Sequence, residues 1–258
     1  MMLSASLILA SLALGCGDDV SGPRSHDSVA TEDFHYSFEV SEHILVSVAG
    51  VNGDINVMGL ADTDSIVISG TRRVTSDDPV DAAEHLDLLT VEVENEAGVV
   101  SAVTHQPEHS DGRIYEVDYR VYIPEDLAVT ITDVNGTIYI RSVAEPVTVS
   151  HVNGAVNLDG ISASVMCSVV NGTIEGDVTL PLDGVIGMEV VNGEVDIEIP
   201  AATSAMFLAG VVNGSISVTG LVLEDMVSSA TSLSGRLGEG RGTIGLAVVN
   251  GTIAARGF

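Results

Sequence analysis

The sequence contains no lysine and no tryptophan, and aromatic residues make up 3% of its 258 positions. Its nine basic residues are all arginine and face 37 Asp and Glu, giving a formal net charge of −28. So acidic a surface repels phosphate backbones, which argues against nucleic acid as a partner. There are two cysteines, Cys16 and Cys167, in dissimilar surroundings, so no disulfide framework is implied. Neither Gly-x-Ser-x-Gly nor His-Glu-x-x-His occurs. With so few aromatics and 27 glycines, many strands packed through small and β-branched residues fit better than a helical bundle.

The first apolar run, Met1 to Gly15, is shorter than the roughly 20 residues a spanning helix needs. It reads as a signal peptide, residues 1–15. Ala13-Leu14-Gly15-Cys16 resembles the bacterial lipobox, in which the cysteine thiol receives a diacylglyceryl group. That resemblance implies a lipid on Cys16 and a membrane partner reached through it. Gly17 at the following position implies the outer membrane. Residues 16–33 are polar and read as a flexible tether.

Residues 34–130 read as an N-terminal β region. Phe34, Tyr36, Phe38 and Val40 alternate onto one face, and Ile44 to Val48 and Ser65 to Val74 are strand-like. Asp78 to Leu89 is the one helix expected, capped by Ser76 or Asp77, with Pro79 in its first turn and Ala82, Ala83, Leu86 and Leu89 as an apolar stripe. Asn95 to Gly98 reads as a hairpin turn. Arg113 to Ile123 places Tyr115, Val117, Tyr119, Val121 and Ile123 on one face, which reads as core rather than a sugar-stacking platform.

What the chain has in abundance is one tripeptide. Val-Asn-Gly occurs seven times, with its Asn-Gly at Asn52-Gly53, Asn135-Gly136, Asn153-Gly154, Asn171-Gly172, Asn192-Gly193, Asn213-Gly214 and Asn250-Gly251. From Asn135 to Asn213 the steps are 18, 18, 21 and 21, and a further 21 reaches Ser234 in Leu233-Ser234-Gly235, which reads as a decayed copy. Asn-Gly is the strongest signal for a type I′ hairpin. In a hairpin, however, each Val would face a mostly polar residue such as Thr137, Glu194 or Ser215. Equal spacing of one corner suits stacked parallel rungs better, with asparagines hydrogen-bonded in a ladder. The fold expected is all-β: a parallel β-solenoid of 18–21-residue rungs over residues 131–258, preceded by the N-terminal β region.

Repeated Asn-Gly-x-[Ile/Val]-x-[Val/Ile], with Tyr122 to Val129 running into Asp133-Val134-Asn135-Gly136, also resembles a family of bacterial envelope proteins called "putative adhesins". The resemblance covers residues 34–258. It implies a β-solenoid and an adhesive or structural role, and says little of any activity.

In stacked rungs Glu175 would lie over Asp196 and Asp177 over Glu198, about 4.8 Å apart. That strip could hold divalent cations or glycans, although a solvated acidic face is the plainer reading. His105, His109 and Asp111 flank Pro107, which breaks the helix that a His-x₃-His metal site needs. Cys167, within an apolar run, reads as core. Gly235 to Gly242 is rich in glycine but lacks the Gly-Lys-[Ser/Thr] of a phosphate loop. No cofactor is expected. The function expected is a non-enzymatic envelope lipoprotein; a cation- or glycan-binding module is the alternative and a polysaccharide-active β-helix enzyme the remote one. The partners expected are an envelope protein or glycan, or a second copy through the terminal rung. The last rung ends at Phe258 with no obvious cap, so its edge should be covered by the N-terminal region or another subunit.

Overall fold

A computed structural model describes residues 28–40 and 45–258. The stretch expected to be a signal peptide, Cys16, and the first part of the expected tether lie outside the described residues. Within them the chain is almost entirely β: fifteen strands and one helix. None of the described helices is long and apolar enough to cross a membrane.

Six long strands run straight through their Asn-Gly pairs: β8 (Ala128–Arg141), β9 (Val147–Ile161), β10 (Val165–Val178), β11 (Val185–Ile199), β12 (Ala205–Thr219) and β15 (Gly242–Gly257). They pair in parallel, in the spatial order β8-β9-β10-β11-β15-β12. At each step asparagine lies beside asparagine and glycine beside glycine. The glycines take φ between 139° and 155°, whereas no asparagine has positive φ, so no type I′ turn forms. Glycine is required for a second reason. A Cβ on Gly172 would overlap the carbonyl oxygen of Gly154, and the same holds from Gly136 to Gly251 along the column.

The seventh copy is divided. β2 (Leu45–Ala49) pairs with the first half of β8, β3 (Ile55–Leu60) pairs with its second half, and Asn52 bridges to Asn135 between them. Beyond this rung the two halves separate. β2 pairs with β6 (Val99–His105), which pairs with β5 (Thr90–Glu96). β3 pairs with β7 (Ile114–Pro124), then follow β4 (Ser65–Ser76) and β1 (Ser28–Glu39). The helix α1 (Pro79–Leu86) lies against β1 and β4. The β5–β6 turn is at Ala97-Gly98, both with positive φ, in a two-residue hairpin.

The core follows from the alternation on both sides of each corner. Val147 and Val149 before the corner are buried, as are Val156 and Leu158 after it, and the pattern repeats rung by rung. All five inward residues of β7, including Tyr115 and Tyr119, are buried, so the tyrosine row is core.

Four expectations need correction. The stack does not end on the last strand in the chain: β15 lies between β11 and β12. Nor is Ser234 an eighth corner. It belongs to β14 (Ser232–Leu237), which pairs antiparallel with β12 and with β13 (Glu224–Ser228). The glycine-rich stretch after β14 forms the connection into β15, and Gly242 N donates to Ser204 O at 2.9 Å. The helix is capped by Asp78, whose Oδ1 accepts from Val80 N at 2.7 Å and Asp81 N at 3.2 Å, and it ends at Leu86. Ser28 to Asp33, expected in the tether, form the start of β1. There the β4 ladder and polar pairs such as Thr71 Oγ1 to Asp33 Oδ1 at 2.7 Å supply the order that apolar content does not.

Candidate functional site

The asparagine side chains are engaged with one another. Asn135 Nδ2 donates to Asn52 Oδ1 at 2.7 Å, Asn153 to Asn135 at 2.8 Å, and Asn171 to Asn153 and Asn192 to Asn171 at 2.9 Å. Asn250 then donates to Asn192, and Asn213 to Asn250, both at 2.9 Å. At the head of the ladder Asn52 Nδ2 donates to Tyr115 O at 3.0 Å. Each amide thus fills its neighbour's acceptor, and the ladder is scaffold.

A cleft of about 580 Å³ opens at that head, lined among others by Asn52, Asp54, Arg73, Gln106, Arg113 and Asn135. β4 supplies Arg73, the start of β7 supplies Glu116 and Asp118, and the β6–β7 loop supplies Gln106 and Arg113. Its charges are largely matched internally. Arg73 donates to Glu116 Oε2 at 3.3 Å and Asp118 Oδ2 at 3.2 Å. Asp54 Oδ1 accepts from Thr137 N at 2.8 Å, and Asp54 N donates to Asp118 Oδ1 at 3.0 Å. Arg113 grips Asp81 of α1 through Nε at 2.8 Å and Nη2 at 2.7 Å. That guanidinium, helped by the Ser76 hydroxyl, holds the Asp81 carboxyl well below the usual carboxylate range. Gln106 Oε1 and Tyr115 OH are buried without partners. The cleft is polar and ion-paired and does not assemble a nucleophile with a base.

A second titratable pair lies inside the stack. Asp133 and His151 are 1% and 2% exposed, and His151 Nδ1 stands 3.4 Å from Asp133 Oδ2. His151 Nε2 lies 3.1 Å from Gly136 O. Burial pushes the Asp133 carboxyl up to about 7, against the pull of the Val134 amide and with the help of the Asp54 charge. Sequence reasoning missed this pair. The available signal was a break in the alternation: Ile131-x-Asp133 and Val149-x-His151 put polar residues where the later rungs carry Val169, Val190, Val248 and Val211.

The strands do bring the acidic strip together in register, with Glu175 beside Asp196 and Asp177 beside Glu198. Two of the four are already engaged. Asp177 Oδ2 accepts from Gly160 N at 3.0 Å, and Asp196 is paired with Arg256, which β15 brings in beside Glu198. Among the described residues no group of three or more His, Cys, Asp or Glu is placed to hold a metal. His105 Nε2 lies 3.0 Å from Glu92 Oε2 across the β5–β6 hairpin. Cys167 is a buried free thiol that burial pushes up to about 12, so it carries little thiolate at neutral pH.

No family model matches the chain, and no curated protein does. Among solved structures it is similar to a putative cell adhesion protein from Clostridium sporogenes, at 10% identity and a TM-score of 0.48 over 88% of this chain and 100% of that one. It is also similar to a putative adhesin from Bacteroides fragilis, at 11% identity and a TM-score of 0.31 over 88% and 97% of the two chains. A putative lipid binding protein from Parabacteroides distasonis is similar at 12% identity and a TM-score of 0.25 over 90% and 96%.

Proposed function

We propose that the chain is a non-enzymatic lipoprotein of the cell envelope, held at the outer membrane by a lipid on Cys16, whose parallel β-solenoid serves as a structural, adhesion-like module. The observation that supports this reading best is the use made of the repeated residues. Seven asparagines bond to one another, and their glycines close-pack on backbone carbonyls. What repeats in this chain is therefore framework, and the outward columns that the framework aligns are the display surface. Asp177 and Asp196 already have partners within the chain, which favours this reading over a cation-binding strip.

Metabolic labelling with an alkyne palmitate, followed by membrane fractionation, tests the anchor. Wild type should carry label and sediment with the outer membrane, and Cys16→Ser should lose both. Adherence of cells with and without the protein, to each other and to glycan-coated surfaces, tests the module. Unchanged adherence, or an unlabelled wild-type protein, would overturn the corresponding half of the proposal.

A further inference from the structure

The two ends of the stack are built differently. At one end β1 is the outer strand; it carries Glu32, Asp33, His35 and Glu39, and α1 lies against it. At the other end β12 is the last strand of the ladder. β14 pairs with Ala205–Gly210 of β12, and Val211 N donates to Thr231 O. Among the described residues no strand pairs with residues 212–219 on the side away from β15. Ile216 and Val218 are half-exposed there, although their β15 neighbours Ile253 and Ala255 are each 1% exposed.

The β12 edge itself is free of charge, although β13 beyond β14 carries Glu224 and Asp225. From Ile199 to Leu223 there are 25 residues (199 through 223) and not one Asp, Glu, Lys or Arg, in a chain where 18% of residues are charged. Edge strands ordinarily carry a charge, a proline or a bulge that prevents pairing with another chain. Residues 212–219 have none of these. Val212 is 64% exposed, and Met206 and Leu208, earlier in the same strand, are exposed as well.

We infer that this edge of β12 pairs with the same edge of a second copy of the chain, antiparallel about a twofold axis. The ladder decides the direction. A strand added in parallel would continue the corners, so it would need an asparagine to donate to Asn213 Oδ1 and a residue without Cβ over Gly214. All seven Val-Asn-Gly corners of a second copy are already inside its own ladder. An antiparallel β12–β12 pair needs no such residue and is self-complementary by symmetry. It also joins two strongly acidic chains along a stretch that brings no carboxylate toward its counterpart. Ile216, Val218 and Val212 are then covered, and two stacks become one continuous sheet.

Disulfide trapping of the full chain in its native membranes tests the pairing, with single cysteines placed at Ser215, Ser217 or Thr219, and at Ser37 of β1 as a control. Under mild oxidation at least one of the three edge variants should give an adduct of twice the monomer mass, and Ser37→Cys should not. Adding Val212→Lys, which places on the pairing edge the kind of charge that blocks strand addition, should cut the adduct at least tenfold while the circular-dichroism melt stays cooperative. The inference is overturned if all three edge variants remain monomeric, if Ser37→Cys cross-links equally, or if Val212→Lys leaves the yield unchanged. An adduct whose mass shows a different protein would likewise overturn it and assign the edge to that partner.

Discussion

His151 stacks directly on Asp133 in the register of β8 and β9, and both are sealed from solvent. Below Asp133 lies Gly50, where a Cβ would come within 2.5 Å of Asp133 Oδ1. The column thus runs glycine, aspartate, histidine and then four valines, and the acid occupies space that only a glycine beneath it leaves open.

This acid makes stability depend on pH in a direction opposite to that of most carboxylates. Its folded value of about 7 lies above its unfolded one. Between the two the folded chain binds the extra proton, so its contribution is intact below about pH 4 and is lost as pH rises toward 7. Asp133→Asn should therefore match wild type near pH 4 and exceed it at pH 8, by roughly 4 kcal/mol at most. Urea unfolding of the two chains at pH 4, 6 and 8 measures the difference; a constant offset across that range would exclude Asp133 as its origin.

The corner residues make separable contributions. Asn171→Ala removes one donated and one accepted ladder bond and should cost about 1–2 kcal/mol. Gly172→Ala should cost well over ~3 kcal/mol, because the new methyl group meets a backbone carbonyl at a φ of 152°. Chemical denaturation should place the two variants in that order, and a Gly172→Ala chain as stable as wild type would contradict the close packing of the glycine column.

The Asp81–Arg113 grip should decide whether α1 stays on the sheet. Asp81 has a depressed carboxyl, so its contribution is present above the unfolded value near 4 and fades as pH falls below it. Asp81→Asn should speed amide exchange in α1 and the adjacent β6–β7 loop while β9 to β11 remain protected. Exchange mapped by mass spectrometry would show this, and uniform acceleration over the whole chain would count against a local clamp.

Strand β15 separates two strands that could otherwise meet. Asn192 and Asn213 are 21 residues apart, the same step as from Asn171 to Asn192. Removing residues 242–258 should let β12 move onto β11 with Asn213 beside Asn192. Cysteines at Ser217 and Asp196 should then cross-link in the shortened chain, and cysteines at Ser217 and Ala254 in the complete one. Failure of the first pair to react would mean that β12 has no second register.

These outcomes mark how far the sequence could be read. Strand pairing through the corners was legible because the residue after every Asn-Gly but one, Ala155, is polar and the next is apolar, a pattern a hairpin could not bury. The neighbour of each rung was not legible. Every rung offers the same Asn-Gly, so Asn192 accepts Asn250 as readily as Asn213, and only the connection through β13 and β14 decides between them. The acidic strip was found in register, but Arg256, distant in sequence, could not be placed on Asp196 without knowing where β15 goes. Asp133 and His151 left a trace in the alternation, yet their burial is a property of the packed column rather than of either residue.

The position of β15 also bears on the order in which the molecule can be made. Strands β8 to β11 can each settle on a finished predecessor as the chain emerges, up to the point where β12 appears. The strand that belongs next to β11 is then still unmade, because β13 and β14 come before it in the chain. The newborn protein must therefore either hold that place empty or fill it with β12 and later give it up. Assembly out of chain order is thus built into the sheet, and loss of β15 would be hidden behind a ladder that looks unbroken.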